Sequence, residues 1–187
     1  MGPLTGYFDV EAKDILQELE ELQKVLTHLR YEGKVSLGKN LKSARQLMAR
    51  LVTHLGRHRQ LQERVVFPYL AAHIPRHESV IQFLRSDHAD IRKSKERLQA
   101  VIRNLLKNPE SCLEHVKIQE LGVYLICLVR HHIELEKKSI HRALDEELRP
   151  VERRKVETRV RQWLCLHKNR NNKRLNKTTT MKGAVYA

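Results

Sequence analysis

The sequence has few of the features that mark membrane, secreted or disulfide-bonded proteins. No apolar run approaches the roughly 18 residues that a membrane span requires, and the N-terminus lacks the basic and apolar regions of a signal peptide. The three cysteines, Cys112, Cys127 and Cys165, are odd in number and form no CxxC pair, so neither a disulfide framework nor a thiolate zinc site is indicated. We therefore expect a cytoplasmic protein with reduced thiols and no membrane span.

The sequence also lacks the patterns of several enzyme classes. No segment resembles a strand, and no phosphate-binding loop, cofactor fingerprint or separate nucleophile is visible. With 187 residues and 41% apolar content, the chain is long enough to bury one core. We expect one all-α domain plus a tail, with a binding function favoured over an enzymatic one.

Positive charge is concentrated at one end of the chain. The formal net charge is +14, of which residues 149–187 contribute +10, from twelve Lys and Arg against two Glu; residues 1–148 carry the remaining +4. Beyond His167 few apolar residues remain, which is typical of disorder. Lys and Arg attract phosphates, so contact with nucleic acid or an acidic membrane is an alternative to a solvated tail. Only Tyr186 is present there for base stacking.

Apolar residues recur at spacings of three and four along most of the chain, which predicts helices. The first helix ends near Gly33, and a kink or early end is expected at Pro68 in the second. Lys95 interrupts the apolar seam of the third helix, and the pattern offers no reason for it. We predict an antiparallel up-and-down four-helix bundle in residues 1–148, followed by a short basic helix and a disordered tail in residues 149–187. The later helices cover about residues 39–73, 77–107 and 111–148, with a fifth after Pro150.

Besides Lys95, five polar residues fall on the apolar seams of these helices. His132 and Glu136 are four residues apart, a spacing that points both side chains to one face of a helix. His58 and Gln62 repeat the layout on the second helix, and His88 lies on the seam of the third. Inward histidines from three helices, with a carboxylate beside one, are typical of a metal site in a helical bundle.

These stretches resemble the hemerythrin-like, HHE cation-binding family. Members of that family are four-helix bundles that typically hold two non-haem irons, with histidines from all four helices and two bridging carboxylates. The resemblance implies that His58, His88, His132 and Glu136 are metal ligands. It covers roughly residues 12–148 and rests on His58 with Gln62-Glu63 and Val66-Phe67-Pro68, on Ser86-Asp87-His88, and on His132-Ile133 with Glu136.

Two departures from the family pattern bear on the number of ions. The first helix should carry a histidine about where Leu19 stands, and the second should offer a carboxylate where the uncharged Gln62 stands. Glu63 is adjacent, about 100 degrees around the helix, and is retained as a candidate metal ligand. The resemblance therefore favours one non-haem iron over two, with another divalent ion as an alternative. Asp87 and His131 are candidates for groups outside the ligand shell.

The competing interpretation is a helical core without metal. A single inward histidine is more often a hydrogen-bonded core residue than a ligand, and the seam residues could be relics of a decayed site. An unpartnered Glu136 would be costly in a core, which favours the metal site. The remaining histidines have less support: His54 lies just off the seam, His73 and His77 flank Pro75 in a turn, and His28, His131 and His141 are assigned to flanks or the surface.

The sequence thus supports a metal-binding protein, of undetermined oligomeric state, that uses iron to bind or sense a small molecule such as dioxygen or nitric oxide. A second hypothesis is an enzyme that runs redox chemistry or donates iron for repair of iron–sulfur centres, and the doubtful second metal weakens it. A third is a metal-free regulatory or interaction module whose basic C-terminus contacts nucleic acid or a partner protein.

Overall fold

The computed structural model describes residues 4–31 and 34–183, and the side chains of residues 6–31 and 36–167. Within these ranges the chain is helical apart from short turns, and no strand is present. None of these described helices has the length and apolar character that crossing a membrane requires. The helices are α1 (Leu4–Tyr31), α2 (Lys34–Leu61), α3 (Phe67–His73), α4 (Glu78–Lys107), α5 (Cys112–Glu136) and α6 (Pro150–Gly183).

Four long helices surround the core. Helix α1 packs against α2 and α5, and α4 packs against the same two helices, so each of the four has two neighbours. The arrangement follows from the sequence because apolar residues at spacings of three and four form one stripe per helix, and each stripe is buried against the others. The prediction of an all-α helical bundle is confirmed.

Two apolar clusters lie along the bundle. The first joins all four long helices through side chains such as Leu22, Leu51, Leu98 and Leu125. The second joins Phe8 of α1 to the middle and end of the chain. Its other members lie mainly in α3, at the start of α4, in the segment between α5 and α6, and in α6 itself. Along α2, α4 and α5, buried polar residues occur between the residues of these two clusters. The polar centre is therefore enclosed by apolar packing.

Three π-helical turns occur in the described part of the chain, and two of them carry residues of the polar centre. They are Gln62–Val66, between α2 and α3, and Lys137–His141 and Ala143–Glu147, both after α5. Hydrogen bonds in a π turn span five residues instead of four, which changes the face that later side chains occupy. The second predicted helix is interrupted as expected, but the interruption begins at Gln62. Pro68 itself lies in the first turn of α3, where proline is tolerated.

Helix α6 is attached to the bundle by its apolar face. Val156, Val160 and Trp163 are buried in the second cluster, and the Tyr69 hydroxyl donates to the Glu152 backbone carbonyl at 2.8 Å. The helix continues to Gly183 through the segment that the sequence predicted to be disordered, since no proline follows Pro150 to break it. Residues 184–187 of the predicted tail lie outside the described residues.

Candidate metal centre

The four main ligand candidates are buried between the two apolar clusters. His58 on α2, His88 on α4, and His132 and Glu136 on α5 are each no more than 4% exposed. His58, His132 and Glu136 each offer one ligand atom, and these atoms all lie within 4.8 Å of one another. The ring of His88 is 4.7 Å from the ring of His132. The structure thus brings His58, His132 and Glu136 together in one buried group, with the ring of His88 beside it.

Each of the three histidines directs one ring nitrogen to a carboxylate at the edge of the group. A carboxylate only accepts hydrogen bonds, so Nδ1 of each ring carries a proton, and the neutral rings of His88 and His132 keep the lone pair on Nε2. Imidazoles that bind metals in proteins are oriented by hydrogen bonds of this kind. The Nδ1 pairs are His58 with Glu11 at 3.0 Å, His88 with Glu63 at 3.0 Å and His132 with Asp87 at 3.4 Å.

Two of the opposite ring nitrogens have no hydrogen-bond partner. Nε2 of His88 and Nε2 of His132 are buried, and no atom of the described side chains or backbone bonds to either. Buried polar atoms almost always have a partner. A metal ion is a partner that suits the lone pair of a neutral imidazole, so these two atoms fit a metal site.

His58 Nε2 meets conflicting demands from two neighbours. Glu136 Oε2 lies 3.0 Å away and requires a donor, whereas the Gln62 side-chain nitrogen lies 2.9 Å away and requires an acceptor. One ring nitrogen cannot satisfy both at once. A cation held by both His58 Nε2 and Glu136 Oε2 would replace the direct contact between these two atoms.

Without an ion, the charge of this centre rests on His58 and Glu136. Burial opposes a charged His58 ring, but Glu136 and Glu11 raise the pKa of His58 to about 10. Burial likewise favours a protonated Glu136, yet His58 and His141 hold the pKa of this carboxyl well below its usual range. Burial and the nearby rings lower the pKa of His88 to about 2, and burial lowers the pKa of His132. His88 and His132 are thus neutral, the form that binds metal.

The departures from the family pattern take different forms in the structure. Gln62 is fully buried, and its amide donates to Glu136, so a donor occupies the place of the expected carboxylate. Glu63 does not join the group around Glu136; it accepts from His88 instead. On α1 the residue that contacts His58 is Glu11, eight residues before Leu19, which packs in the first apolar cluster.

Sequence reasoning missed two residues at the centre, Glu11 and His141. His141 was assigned to a flank or the surface, but it is buried and its Nε2 lies 3.0 Å from Glu136 Oε1. A regular α-helix would place it about 140 degrees around from Glu136, and the wider π turn reduces that offset enough for the two side chains to meet. For Glu11 a signal was available. Glu11 and Glu18 are seven residues apart, about two helical turns, so they lie on one face of α1. That face pairs with His58 and His54 of α2.

The other histidines with described geometry lie away from the centre. His54 pairs with Glu18 at 3.1 Å. His73 stacks on the Tyr69 ring, with centroids 4.1 Å apart. His131 is exposed, so it does not orient a ligand as the sequence had suggested.

A cavity of about 50 Å³ adjoins the centre. His58, His88 and His132 form one side of it, and Arg59, Arg92 and Lys95 contribute positive charge to its wall. Both arginines are also partly exposed to solvent, so the cavity lies between the histidines and the surface. Lys95 interrupts the seam of α4 because it lines this cavity, where burial and Arg59 lower the pKa of its ammonium group.

Comparison with known families matches the chain to a model described as the Hemerythrin HHE cation binding domain, over residues 5–153. The matched region extends from the start of α1 to the first turn of α6 and includes every residue of the centre. Comparison with curated proteins and with solved structures gave no match.

Proposed function

The chain belongs to the hemerythrin HHE cation-binding family, and from that premise we propose that it holds non-haem iron at His58, His88, His132 and Glu136 and binds a small molecule there. Dioxygen and nitric oxide are the ligands proposed. The observation that carries the proposal is the pair of buried Nε2 atoms, on His88 and His132, that have no partner among the described residues. Iron, when bound, supplies coordination positions for such a ligand and a change of oxidation state.

The residues of the chain divide into those that hold the ion and those that orient the holders. The imidazoles bind through Nε2, and the Glu136 carboxylate lowers the net charge of the buried centre. The carboxylates that accept from Nδ1 fix the orientation and the tautomer of each ring. In this scheme Glu63, a ligand candidate in the sequence, acts on His88 and not on the ion. The orienting pairs are those of Glu11, Glu63 and Asp87.

The surroundings of Glu136 support one ion in preference to two. Gln62 presents an amide donor to Glu136 where a second carboxylate would be needed. Glu11 contacts the outer nitrogen of His58, so α1 supplies an orienting group there and not an imidazole. We keep a single iron, or another divalent ion, as the proposed content.

The cavity beside the centre has room for a small ligand. Its volume of about 50 Å³ exceeds the roughly 10–15 Å³ of such space that one water molecule needs. A diatomic molecule therefore fits beside the three histidines, which supports binding or sensing of a small ligand there.

We also propose that the four long helices alternate in direction and that residues 1–148 form the functional unit. Pairs between α1 and α2 run in opposite order along the two helices, which supports antiparallel packing. The family match extends slightly beyond this boundary, to residue 153. The pairs are Glu21 with Arg50, Glu18 with His54 and Glu11 with His58.

A reducing compartment such as the cytoplasm is the proposed location. Cys112, Cys127 and Cys165 are all free and exposed, which suits an environment in which thiols stay reduced.

The decisive experiment is the iron content per chain. Protein without a His-tag is reconstituted anaerobically with ferrous iron, washed and subjected to elemental analysis. The test variant is His88→Ala/His132→Ala, and the matched control is His131→Ala, which removes an exposed imidazole next to His132. We expect about one iron per chain in the wild type and the control, and none in the double variant. Addition of nitric oxide should then change the absorption spectrum only where iron is present.

The outcomes separate the proposals. No iron in the wild type would reject the metal-binding function and leave a helical scaffold. About two irons per chain would retain the function and reject the single-ion content. Iron that does not respond to nitric oxide or dioxygen would reject the proposed ligand alone.

A second candidate function is a metal-free interaction module with a basic surface. It is favoured by the exposed positive side chains Arg154, Lys155, Arg159 and Arg161 on α6. This surface attracts phosphates or acidic side chains without reading a sequence.

The test of this candidate uses charge reversal, because removal of α6 would uncover the second apolar cluster. Arg154→Glu/Lys155→Glu/Arg161→Glu should abolish retention on a duplex DNA column at moderate salt and leave the iron content unchanged. Equal retention of the wild type and this variant would reject the candidate.

A further inference from the structure

His141 is a buried imidazole that the proposed ligand set does not use. It is 6% exposed, and its ring lies 5.1 Å from the ring of Phe8, which covers it from α1. Its Nε2 is 3.0 Å from Glu136 Oε1. The other oxygen of the same carboxylate, Oε2, is 3.0 Å from His58 Nε2. The two oxygens of Glu136 therefore each face one imidazole, at equal distances.

The ring of His141 points the same nitrogen toward the centre as the three proposed ligands do. Its Nε2 points into the centre, as do those of His58, His88 and His132, whose Nδ1 atoms are hydrogen-bonded to carboxylates. Its Nδ1 lies 3.9 Å from the largely exposed Asp9, beyond hydrogen-bond distance. The shared inward direction of Nε2 favours a ligand.

The π turn Lys137–His141 is what brings this ring to the centre. In a regular helix the residue five positions after Glu136 would point about 140 degrees away. The wider turn returns it to the face of Glu136. π turns are rare overall, but those that occur are often found at functional sites. A turn that begins directly after Glu136 and ends at His141 is therefore consistent with a metal-binding role.

We propose that His141 is a further metal ligand, which binds through Nε2 beside Glu136 Oε1 and supplies the imidazole that α1 does not provide. The inference rests on the proposed function. It assigns four imidazoles and one carboxylate to the centre, with Glu136 between His58 and His141. The metal class is a divalent transition ion that accepts nitrogen and oxygen ligands.

The experiment uses Co²⁺ as the probe metal and counts the imidazoles that bind it. X-ray absorption gives imidazoles per ion, elemental analysis gives ions per chain, and their product is the number of ligating histidines per chain. The variant is His141→Gln, because the glutamine amide can still donate to Glu136 but is a poor metal ligand. His131→Gln is the exposed control. Thermal unfolding of the metal-free proteins checks that each variant folds.

We expect four ligating histidines per chain in the wild type and the control, and three in His141→Gln. Co²⁺ affinity should fall by roughly 100-fold or more in the variant, beyond the 10–100-fold typical of groups that only orient a ligand. Three imidazoles in the wild type, or an unchanged count in the variant, would overturn the inference and leave the proposed function intact. A wild type that binds neither Co²⁺ nor iron would overturn both. The wild-type count decides the question even if the variant does not fold.

Discussion

Helices α2 and α5 each bury two kinds of core along one face. Toward the start of α2, Leu41 and Leu51 pack in the first apolar cluster, and farther along the same face lies His58. On α5, Leu125 is followed by His132 and Glu136. The apolar stretches are regular α-helix, whereas π turns directly follow the polar stretches. The apolar part of each helix therefore stabilises the bundle by packing. The polar part supplies the candidate metal ligands, and the regular α-helix ends directly after it.

The two kinds of core make opposite contributions to the stability of the bundle. Burying polar groups without full pairing is destabilising, and this centre contains buried nitrogens without partners. The two apolar clusters on either side offset that cost through area removed from water. Substitutions in the two kinds of core should therefore have different consequences.

The largest effect is expected from Glu136→Ala. The change leaves His58, Gln62 and His141 without their common acceptor. Removing one partner of a buried charged pair typically costs about 3–5 kcal/mol, so the metal-free protein should lose about that much stability, measured by urea unfolding. Iron binding should be lost as well. Glu134→Ala, the matched exposed control on the same helix, should change neither property. Retained iron in Glu136→Ala would remove this residue from the centre.

A smaller effect, confined to stability, is expected from Leu22→Ala. Leu22 is 1% exposed in the first apolar cluster, and truncation of a buried leucine costs about 2–5 kcal/mol. The midpoint of unfolding should fall while iron content per folded chain stays at the wild-type value. Leu113→Ala, at an exposed leucine, serves as the control. If the iron content also fell, the two kinds of core would not be independent.

The smallest effect on the metal-free protein is expected from Gln62→Glu. The new carboxylate would contact Glu136 in a fully buried position, at a cost on the order of 1–3 kcal/mol. Burial and Glu136 should raise the pKa of the new carboxyl against the opposing effect of the charged His58 ring, so the loss of stability should grow as pH rises through that pKa. When iron is bound, Gln62→Glu should be more stable than the wild type, because a second carboxylate offsets more of the charge of the ion. The measurement is the shift of the unfolding temperature on iron addition, with exposed Gln17→Glu as the control. An equal shift of the unfolding temperature in the wild type and in Gln62→Glu would contradict this reasoning.

Much of the fold was predictable from spacing along the chain. The periodicity of leucines such as Leu19, Leu22 and Leu26 fixes which face of α1 is buried, and the bundle follows from four such faces. Gly33 and Pro150 mark helix boundaries within a few residues of those observed. The π turns were not predicted, because a widened turn depends on the packing of its surroundings and leaves no periodic signal.

The burial of His58, His88, His132 and Glu136 was determined by the sequence itself, since helix geometry sets the direction of residues three and four apart. Tertiary structure alone decided which carboxylate stands behind each ring, because Glu11, Glu63 and Asp87 reach their partners across helix pairs whose relative position no local pattern specifies. It also decided that His141 faces Glu136. That contact requires a π turn, and the apolar periodicity of the sequence does not distinguish a π turn from a regular one.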